Sequence, residues 1–156
     1  MVKLKITTIG IAFTVVLIGC ILVGFGFVIN VTESMPRGLY QIVKDDNISK
    51  NDLIIFTIPN KSEQLLKKVV AVENDFVVVN SKGVYVNHSL LPNSKIFSVD
   101  SNGNPLTPHL LDQVLKPGEF LALGEHIQSY DGRYFGTINT QDNHIQKVRS
   151  LFTWSN

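Results

Sequence analysis

Three stretches of the sequence carry side chains that could act together as an activated nucleophile: Ser34, the pair Lys67–Lys68, and the segment S-Y-D-G-R-Y-F-G at 129–136. A serine hydroxyl is a poor nucleophile at neutral pH and needs a base placed beside it. A lysine can be that base when burial destabilises its ammonium form and lowers its pKa from about 10.4 to about 7–8. The leucines, valines and alanine around the lysine pair favour such burial.

The lysine pair lies in L-L-K-K-V-V-A-V (65–72), whose composition is typical of a β-strand. Side chains alternate along a strand, so Lys67 shares a face with Leu65, Val69 and Ala71. Lys68 shares the other face with Leu66, Val70 and Val72. Both faces are apolar, and the alternation does not select the buried lysine. More often, one lysine of such a pair faces solvent and the head of the other reaches the surface.

Each of the other polar residues also fits an ordinary structural role. A serine at the position of Ser34 is usually part of a linker or a helix end, and Asp131 with Arg133 would form an ion pair at a turn. The four histidines lie in segments with loop composition, where surface positions are common. A triad of Ser34, His126 and Asp131 is nevertheless an alternative to a serine–lysine dyad.

Composition excludes several classes of protein. The net charge of +1 and the 17% of charged residues argue against a nucleic-acid-binding surface. Cys20 is the single cysteine, so the sequence has neither a disulfide framework nor a zinc site. We therefore expect no metal or other cofactor.

The chain begins with an apolar segment. Residues 6–29 contain no Asp, Glu, Lys, Arg or His, and a helix of that length spans roughly 36 Å, enough for a bilayer core of about 30 Å. Lys3 and Lys5 precede it, which predicts a cytoplasmic N-terminus and an extracytoplasmic domain beyond it. We expect a cytoplasmic stub and single transmembrane helix over 1–29, followed by one domain over 30–156.

A cleaved signal peptide and a lipoprotein signal are the alternatives to an anchor. A cleaved signal peptide has an apolar region of about 7–15 residues, and this one is longer. The sequence L-I-G-C (17–20) is similar to a bacterial lipoprotein box that would acylate Cys20. The residues after Cys20 remain apolar, however, where a lipoprotein normally becomes polar.

The rest of the chain favours an all-β fold. Strands are predicted for 52–58, 65–72, 76–79, 84–86, 119–123 and 145–152. Ser81-Lys82-Gly83 indicates a hairpin turn. The segment 94–108 has loop composition, and 108–115 is the one place where a short helix is predicted.

Taken together and in order, the motifs resemble the type I signal peptidase family, and within it the conjugative-transfer (TraF-like) branch. The resemblance covers about 30–154 and rests on N-V-T-E-S-M-P-R-G-L-Y (30–40), K-K-V-V (67–70) and S-Y-D-G-R-Y-F-G (129–136). Shorter matches are N-D-L-I-I-F (51–56), G-V-Y-V-N (83–87), G-N-P-L (103–106) and I-Q-K-V-R-S-L-F-T-W (145–154).

The resemblance implies a role for each motif residue. Ser34 would be the nucleophile, at the membrane face, and Lys67 its general base. The Thr32 hydroxyl would join the Ser34 amide in the oxyanion hole. Ser129 would orient the lysine, and the site would be braced by Asp131 and Arg133.

This sequence departs from the family pattern at three turns. Asn74-Asp75 and Gly124-Glu125 stand where the family usually has Gly-Asp, and Gly132 replaces a commoner serine. None of these changes removes a catalytic group. The change at Asn74 puts the turn beside the lysine strand in question.

The implied function is a membrane-anchored serine endopeptidase that cleaves exported precursor proteins outside the bacterial cytoplasmic (inner) membrane, on the periplasmic side where there is one. Its expected partners are the lipid bilayer and precursors with small residues beside the cut, held in a shallow apolar groove. In the conjugative branch an amine of the same substrate can replace water and give a cyclic pilin. The alternatives are a Ser-Lys autoprotease of the repressor type and a non-catalytic membrane-tethered β module.

Overall fold

The computed structural model describes residues 11, 19, 24–58, 63–141 and 144–154. Within 27–154 the described residues form two antiparallel sheets and a short helix, α1 (Gly132–Phe135), and the described residues Ile11, Gly19 and Gly24 are also helical. The strands are β1 Phe27–Asn30, β2 Gly38–Val43, β3 Leu53–Thr57, β4 Gln64–Ala71, β5 Phe76–Asn80, β6 Gly83–Val86, β7 Ser89–Leu90, β8 Leu111–Val114, β9 Glu119–Leu123, β10 Ile138–Asn139 and β11 Ile145–Thr153.

The larger sheet has seven strands in the order β1-β2-β11-β3-β4-β9-β10. Its central strands are rich in β-branched and leucine side chains, and both of their faces are covered, as expected for strands buried on two sides. The lysine strand β4 pairs with β3 on one side and with β9 on the other. It is therefore held from both edges, and its side chains have fixed positions.

The smaller sheet has the order β7-β6-β5-β8. Its centre is the hairpin of β5 and β6, in which Asn80 pairs with Gly83 around the turn at Ser81-Lys82. A buried cluster joins this sheet to β4 and β9 and includes Ala71, Val77, Val79, Val84, Leu115 and Leu121. The small sheet thus extends the core of the domain beyond the lysine strand.

A separate buried cluster supports the hairpin of β1 and β2. Met35 and Tyr40 are each 1% exposed and pack with Ile55, Leu66 and Val148. The Tyr40 hydroxyl donates to the Pro36 carbonyl at 2.6 Å. The stiff Met35-Pro36 pair therefore fixes the loop containing Ser34 to the core.

The all-β prediction is confirmed, and each of the six predicted strands overlaps an observed one. The predicted helix over 108–115 is wrong, because β8 occupies Leu111–Val114 and pairs with the free edge of β5. So short a segment gains little from a helix, whereas the sheet edge offers hydrogen-bond partners. Local sequence did not predict β1, β2, β7, β8, β10 or α1.

Most of the predicted anchor, at 6–29, lies outside the described residues. Its described residues are 11, 19 and 24–29. Ile11, Gly19 and Gly24 are helical, but the helix prediction is wrong at the end of the segment, because Phe27–Asn30 form β1, which pairs with β2. Apolar content alone did not separate a membrane segment from the strand that follows it. In the part of the chain that the structure describes, no helix has both the length and the apolar character needed to cross a bilayer.

Candidate active site

Ser34 lies in the loop that joins β1 to β2. Pairing of Asn30 with Gly38 closes this loop. The Ser34 side chain is half-buried, and its Oγ lies 3.2 Å from Oγ1 of Thr32. The Ser34 carbonyl accepts from the backbone amides of Glu125 at 2.8 Å and His126 at 3.3 Å. The nucleophile predicted from sequence is therefore tied to the loop after β9 and has a hydroxyl neighbour two residues before it.

Asn30 holds the same loop from inside and was not predicted as a site residue. The side chain is 7% exposed, and its Nδ2 donates to the carbonyls of Thr32, Met35 and Pro36 at 3.2, 3.0 and 3.0 Å. Its Oδ1 accepts from the Thr32 amide at 3.2 Å and from the Thr32 hydroxyl at 2.8 Å. The sequence did contain a signal, because Asn30 is the first residue of the motif N-V-T-E-S-M-P on which the resemblance rests. The resemblance did not, however, imply a role for Asn30.

Strand β4 separates its two lysines into different environments. Lys67 is 2% exposed and pairs with Ile54 of β3. The Lys68 side chain is 36% exposed, and its Nζ lies 4.0 Å from the Glu125 carboxylate. The structure therefore decides what the alternation left open: Lys67 is the buried lysine.

Burial is also the main electrostatic influence on Lys67. Desolvation lowers the pKa of Lys67 from 10.5 to about 8, the Asp131 carboxylate opposes this, and the Arg133 guanidinium adds to it. A change of this size corresponds to about 3 kcal/mol against the ammonium form. A substantial fraction of Lys67 is thus neutral near pH 8, as a general base must be.

Ser34, Lys67 and Thr32 line the same cavity, whose volume is about 320 Å³. Its walls are mostly apolar and include Val28, Ile29, Ile55, Leu65 and Leu66. Tyr130 also lines it and stacks on Tyr134 with ring centroids 5.7 Å apart. The fold therefore brings the predicted nucleophile, base and hydroxyl donor to one apolar groove.

Asp131 and Arg133 form a buried brace beside this groove, with both side chains 0% exposed. Arg133 donates to the carboxylate from Nε at 2.8 Å and from Nη2 at 2.9 Å, and Gly124 N donates to Asp131 Oδ2 at 2.8 Å. Arg133 also donates to backbone carbonyls of two loops, at Asn93, Lys95, Ile127 and Ser129. The brace thus fixes the loop whose amides hold Ser34.

Ser129 lies in the loop after β9 and packs closely against Gly124. It is 3% exposed, and a Cβ at Gly124 would overlap its Oγ and crowd the Ser34 carbonyl. Only glycine allows this close approach. In the described part of the chain the Ser129 Oγ has no hydrogen-bond partner, so the contact expected with Lys67 is not formed in this structure. Its orienting role stays a prediction.

The alternative triad is not assembled. The two carboxylate oxygens of Asp131 are occupied by Arg133 and Gly124. His126 is exposed, and its Nδ1 accepts from the backbone amide of Gln128 at 3.2 Å. A histidine base needs its Nδ1–H oriented by a partner such as the carboxylate. The geometry therefore favours Lys67 over His126.

The chain matches a known protein family over most of its length. The family model described as "Signal peptidase, peptidase S26" matches residues 2–154. The chain belongs to the signal peptidase family. This membership carries a signal-peptidase-type function, and precursor proteins are the substrates that the family implies.

Named relatives place the chain in the TraF-like part of the family. It is 29% identical over 151 residues to a "Plasmid transfer protein TraF" of Escherichia coli, covering 83% of this chain and 84% of that one. A second protein of that name from Escherichia coli is 31% identical over 149 residues, covering 81% and 82%. A "Probable conjugal transfer protein TraF" of Sinorhizobium fredii is 30% identical over 135 residues, covering 72% and 70%.

A crystal structure of a signal peptidase I from Enterococcus faecalis is similar with a TM-score of 0.41 and 20% identity, covering 72% of this chain and 100% of that one.

The departure from the family pattern at Asn74 leaves the turn after β4 intact. Asn74 has φ of 69°, a left-handed conformation that glycine adopts freely and asparagine tolerates better than most residues. Asp75 follows and accepts from the Val72 amide at 2.9 Å, closing the turn. Asparagine therefore supplies the backbone conformation expected of the family's glycine.

Proposed function

We propose that this signal peptidase is a serine-type enzyme in which Ser34 is the nucleophile and Lys67 the general base. The observation that carries the proposal is the buried Lys67, with its pKa lowered to about 8, in the same apolar cavity as Ser34 and Thr32. A fold that holds a lysine at this free-energy cost beside a serine has the parts needed for acyl transfer.

The proposed reaction begins when neutral Lys67 takes the Ser34 hydroxyl proton as Oγ attacks the scissile carbonyl carbon. The oxyanion of the tetrahedral intermediate receives hydrogen bonds from the Ser34 amide and the Thr32 hydroxyl. Collapse of the intermediate breaks the C–N bond, and the Lys67 ammonium returns its proton to the leaving amine. Water then attacks the acyl carbon of the acyl-enzyme while Lys67 accepts its proton. Collapse of this second intermediate breaks the ester bond to Ser34 Oγ, which takes the proton back from Lys67, and the product is released with a free carboxyl group.

We extend the proposal to precursors with small residues beside the cut. The cavity of about 320 Å³ is narrow for a peptide with large side chains, and its valine, isoleucine and leucine walls favour apolar ones. Exported precursors with a small apolar residue before the scissile bond meet both conditions.

The lipid bilayer is the second proposed partner. Large apolar side chains are exposed near the β1 end of the molecule and on β11: Phe25 70%, Ile29 57%, Val31 67%, Phe152 64% and Trp154 40%. Ile29 of β1 and Phe152 of β11 both pair with Leu39 of β2, which lies between these strands, so the two side chains lie on one face of the sheet. In the sequence β1 directly follows residues 6–26, the rest of the apolar segment, which we propose anchors the chain in the bacterial cytoplasmic membrane with its N-terminus inside and its catalytic domain outside.

The relatives support a role in conjugation. Those relatives are named for plasmid transfer and conjugal transfer. We propose that the substrate is a conjugative pilin precursor. Either water or an amine of the same pilin can resolve the acyl-enzyme, since both are nucleophiles for an ester; a cyclic product would identify the amine.

Replacing the nucleophile tests the proposed function. Ser34→Ala should abolish cleavage of a co-expressed pilin precursor, measured by mass spectrometry, while the protein stays folded and membrane-bound. Ser81→Ala, at an exposed serine in the β5–β6 turn, is the matched control and should cleave normally. Normal processing by Ser34→Ala would overturn the assignment of the nucleophile, and the same processing without the protein would favour a non-catalytic membrane-tethered module.

A further inference from the structure

Asn30 is a buried polar side chain that makes five hydrogen bonds with the nucleophile loop, which is the segment 31–37 between β1 and β2. It contacts no predicted reacting atom of Ser34 or Lys67 directly, yet it engages Thr32 three times and the carbonyls of Met35 and Pro36. These contacts span the loop from two residues before Ser34 to two residues after it. A loop held across its whole width by one side chain has little freedom to move Ser34.

The orientation of the Asn30 amide follows from its surroundings. Three carbonyl oxygens lie within 3.2 Å of Nδ2, and only an N–H group can face them. The carbonyl oxygen of the amide is therefore Oδ1, which can only accept. The Thr32 hydroxyl at 2.8 Å must be the donor in that contact.

This assignment fixes the direction of the hydrogen bond between the two hydroxyls. Thr32 has one hydroxyl hydrogen, and it points to Asn30. At 3.2 Å from Ser34 Oγ, the Thr32 oxygen can then only accept, so the Ser34 hydroxyl is the donor. The resting site therefore holds Thr32 as an acceptor for the Ser34 proton, whereas an oxyanion donor must present its hydrogen to the substrate.

We propose that Asn30 is a positioning residue that sets the Thr32 hydroxyl and the loop around Ser34 for the reaction. The inference rests on the proposed function of Ser34 and Thr32. When negative charge develops on the substrate oxygen, the Thr32 hydrogen turns from the neutral Asn30 carbonyl to the stronger acceptor. The Thr32 backbone stays fixed because Asn30 still binds its amide and carbonyl.

A double-mutant cycle tests this coupling. Asn30→Ala and Thr32→Val should each lower kcat for precursor cleavage by at least about tenfold with little change in KM, and the double variant should be no slower than about the slower single variant. Asn47→Ala, at an exposed asparagine in the loop between β2 and β3, is the control and should match the wild type. Effects that multiply, or a change confined to KM, would overturn the inference.

A second measurement does not depend on activity. In ¹⁵N-labelled wild-type protein the side-chain NH₂ of Asn30 should exchange slowly with solvent, and the side-chain NH₂ of Asn47 should exchange fast. Fast exchange at Asn30 would overturn the inference even if the protein cleaves precursors. If the wild type cleaves none while Asn30 is protected, the proposed function fails and the loop assignment stands.

Discussion

The brace and the nucleophile loop lie next to each other but differ in the burial and in the hydrogen bonding of their side chains. In the brace, Asp131 and Arg133 are fully buried, and each makes several hydrogen bonds at 2.7–3.2 Å. In the loop, Thr32 is exposed and Ser34 half-buried, and their hydroxyls are joined by one contact of 3.2 Å. The loop depends on other residues for its position.

This difference indicates that the brace stabilises the fold, whereas the hydroxyls of the loop are available for the proposed reaction. A buried ion pair with all its hydrogen bonds formed is costly to break, because the remaining charge has no partner. Reacting hydroxyls must instead stay accessible to substrate and able to change partners. We therefore expect substitutions in the brace to lower stability, and substitutions among the reacting groups to lower turnover in a folded protein.

The largest effect on turnover should come from the buried lysine. Lys67→Ala should lower cleavage on the order of 10⁴-fold or more, as Ser34→Ala does, because the two act as a unit. Lys68→Ala is the matched control one residue along the same strand, and it should retain substantial activity because its side chain is partly exposed. Steady-state cleavage of the precursor measures both. An inactive Lys68 variant beside an active Lys67 variant would contradict the account.

The brace should show its effect in stability. Arg133→Met keeps most of the side-chain volume but leaves Asp131 charged and buried, which should lower the free energy of unfolding by about 3–5 kcal/mol. Urea denaturation of the detergent-solubilised full chain measures this. Arg149→Met, at an exposed arginine bonded to Gln41, should change it by less than about 1 kcal/mol. If Arg133→Met kept wild-type stability and lost activity, the division between support and chemistry would fail.

The smallest effect of the three should come from the hydroxyl donor. Thr32→Val keeps the side-chain shape and should lower kcat by about 10²-fold, near 2.7 kcal/mol, with KM and unfolding little changed. Single-turnover kinetics on the precursor separate the chemical step from binding. A wild-type rate would assign the oxyanion contact to backbone amides alone.

The strands of the core were predictable from sequence because their signals are local. The run at Leu53–Thr57 is β-branched and ends near Pro59, and Ser81-Lys82-Gly83 has turn chemistry. Strand β8 was not predictable, because Leu111–Val114 forms a strand by pairing with β5. Nothing in the local sequence indicates that pairing. In β1, Phe27–Ile29 continue an apolar run whose composition suits both a helix and a strand.

The sequence analysis named residues that the fold brings together, but not the contacts that hold them in place. Ser34, Thr32, Lys67, Asp131 and Arg133 follow from motif order, and the structure brings Ser34, Thr32 and Lys67 to one cavity with the other two as the brace. The resemblance selected Lys67 over Lys68, but the strand alternation did not, because the burial that separates the two lysines depends on the strands on both sides of β4. Asn30 was missed because its five contacts arise only when the loop closes.

The pH dependence of precursor cleavage tests the serine–lysine assignment most directly. Only neutral Lys67 can accept the Ser34 proton, and burial lowers its pKa to about 8, so kcat should rise about tenfold per pH unit at low pH and level off above about 8. His126→Ala should give the same profile. A limb near 6.5 that disappears in His126→Ala would contradict the account and assign the base to the histidine.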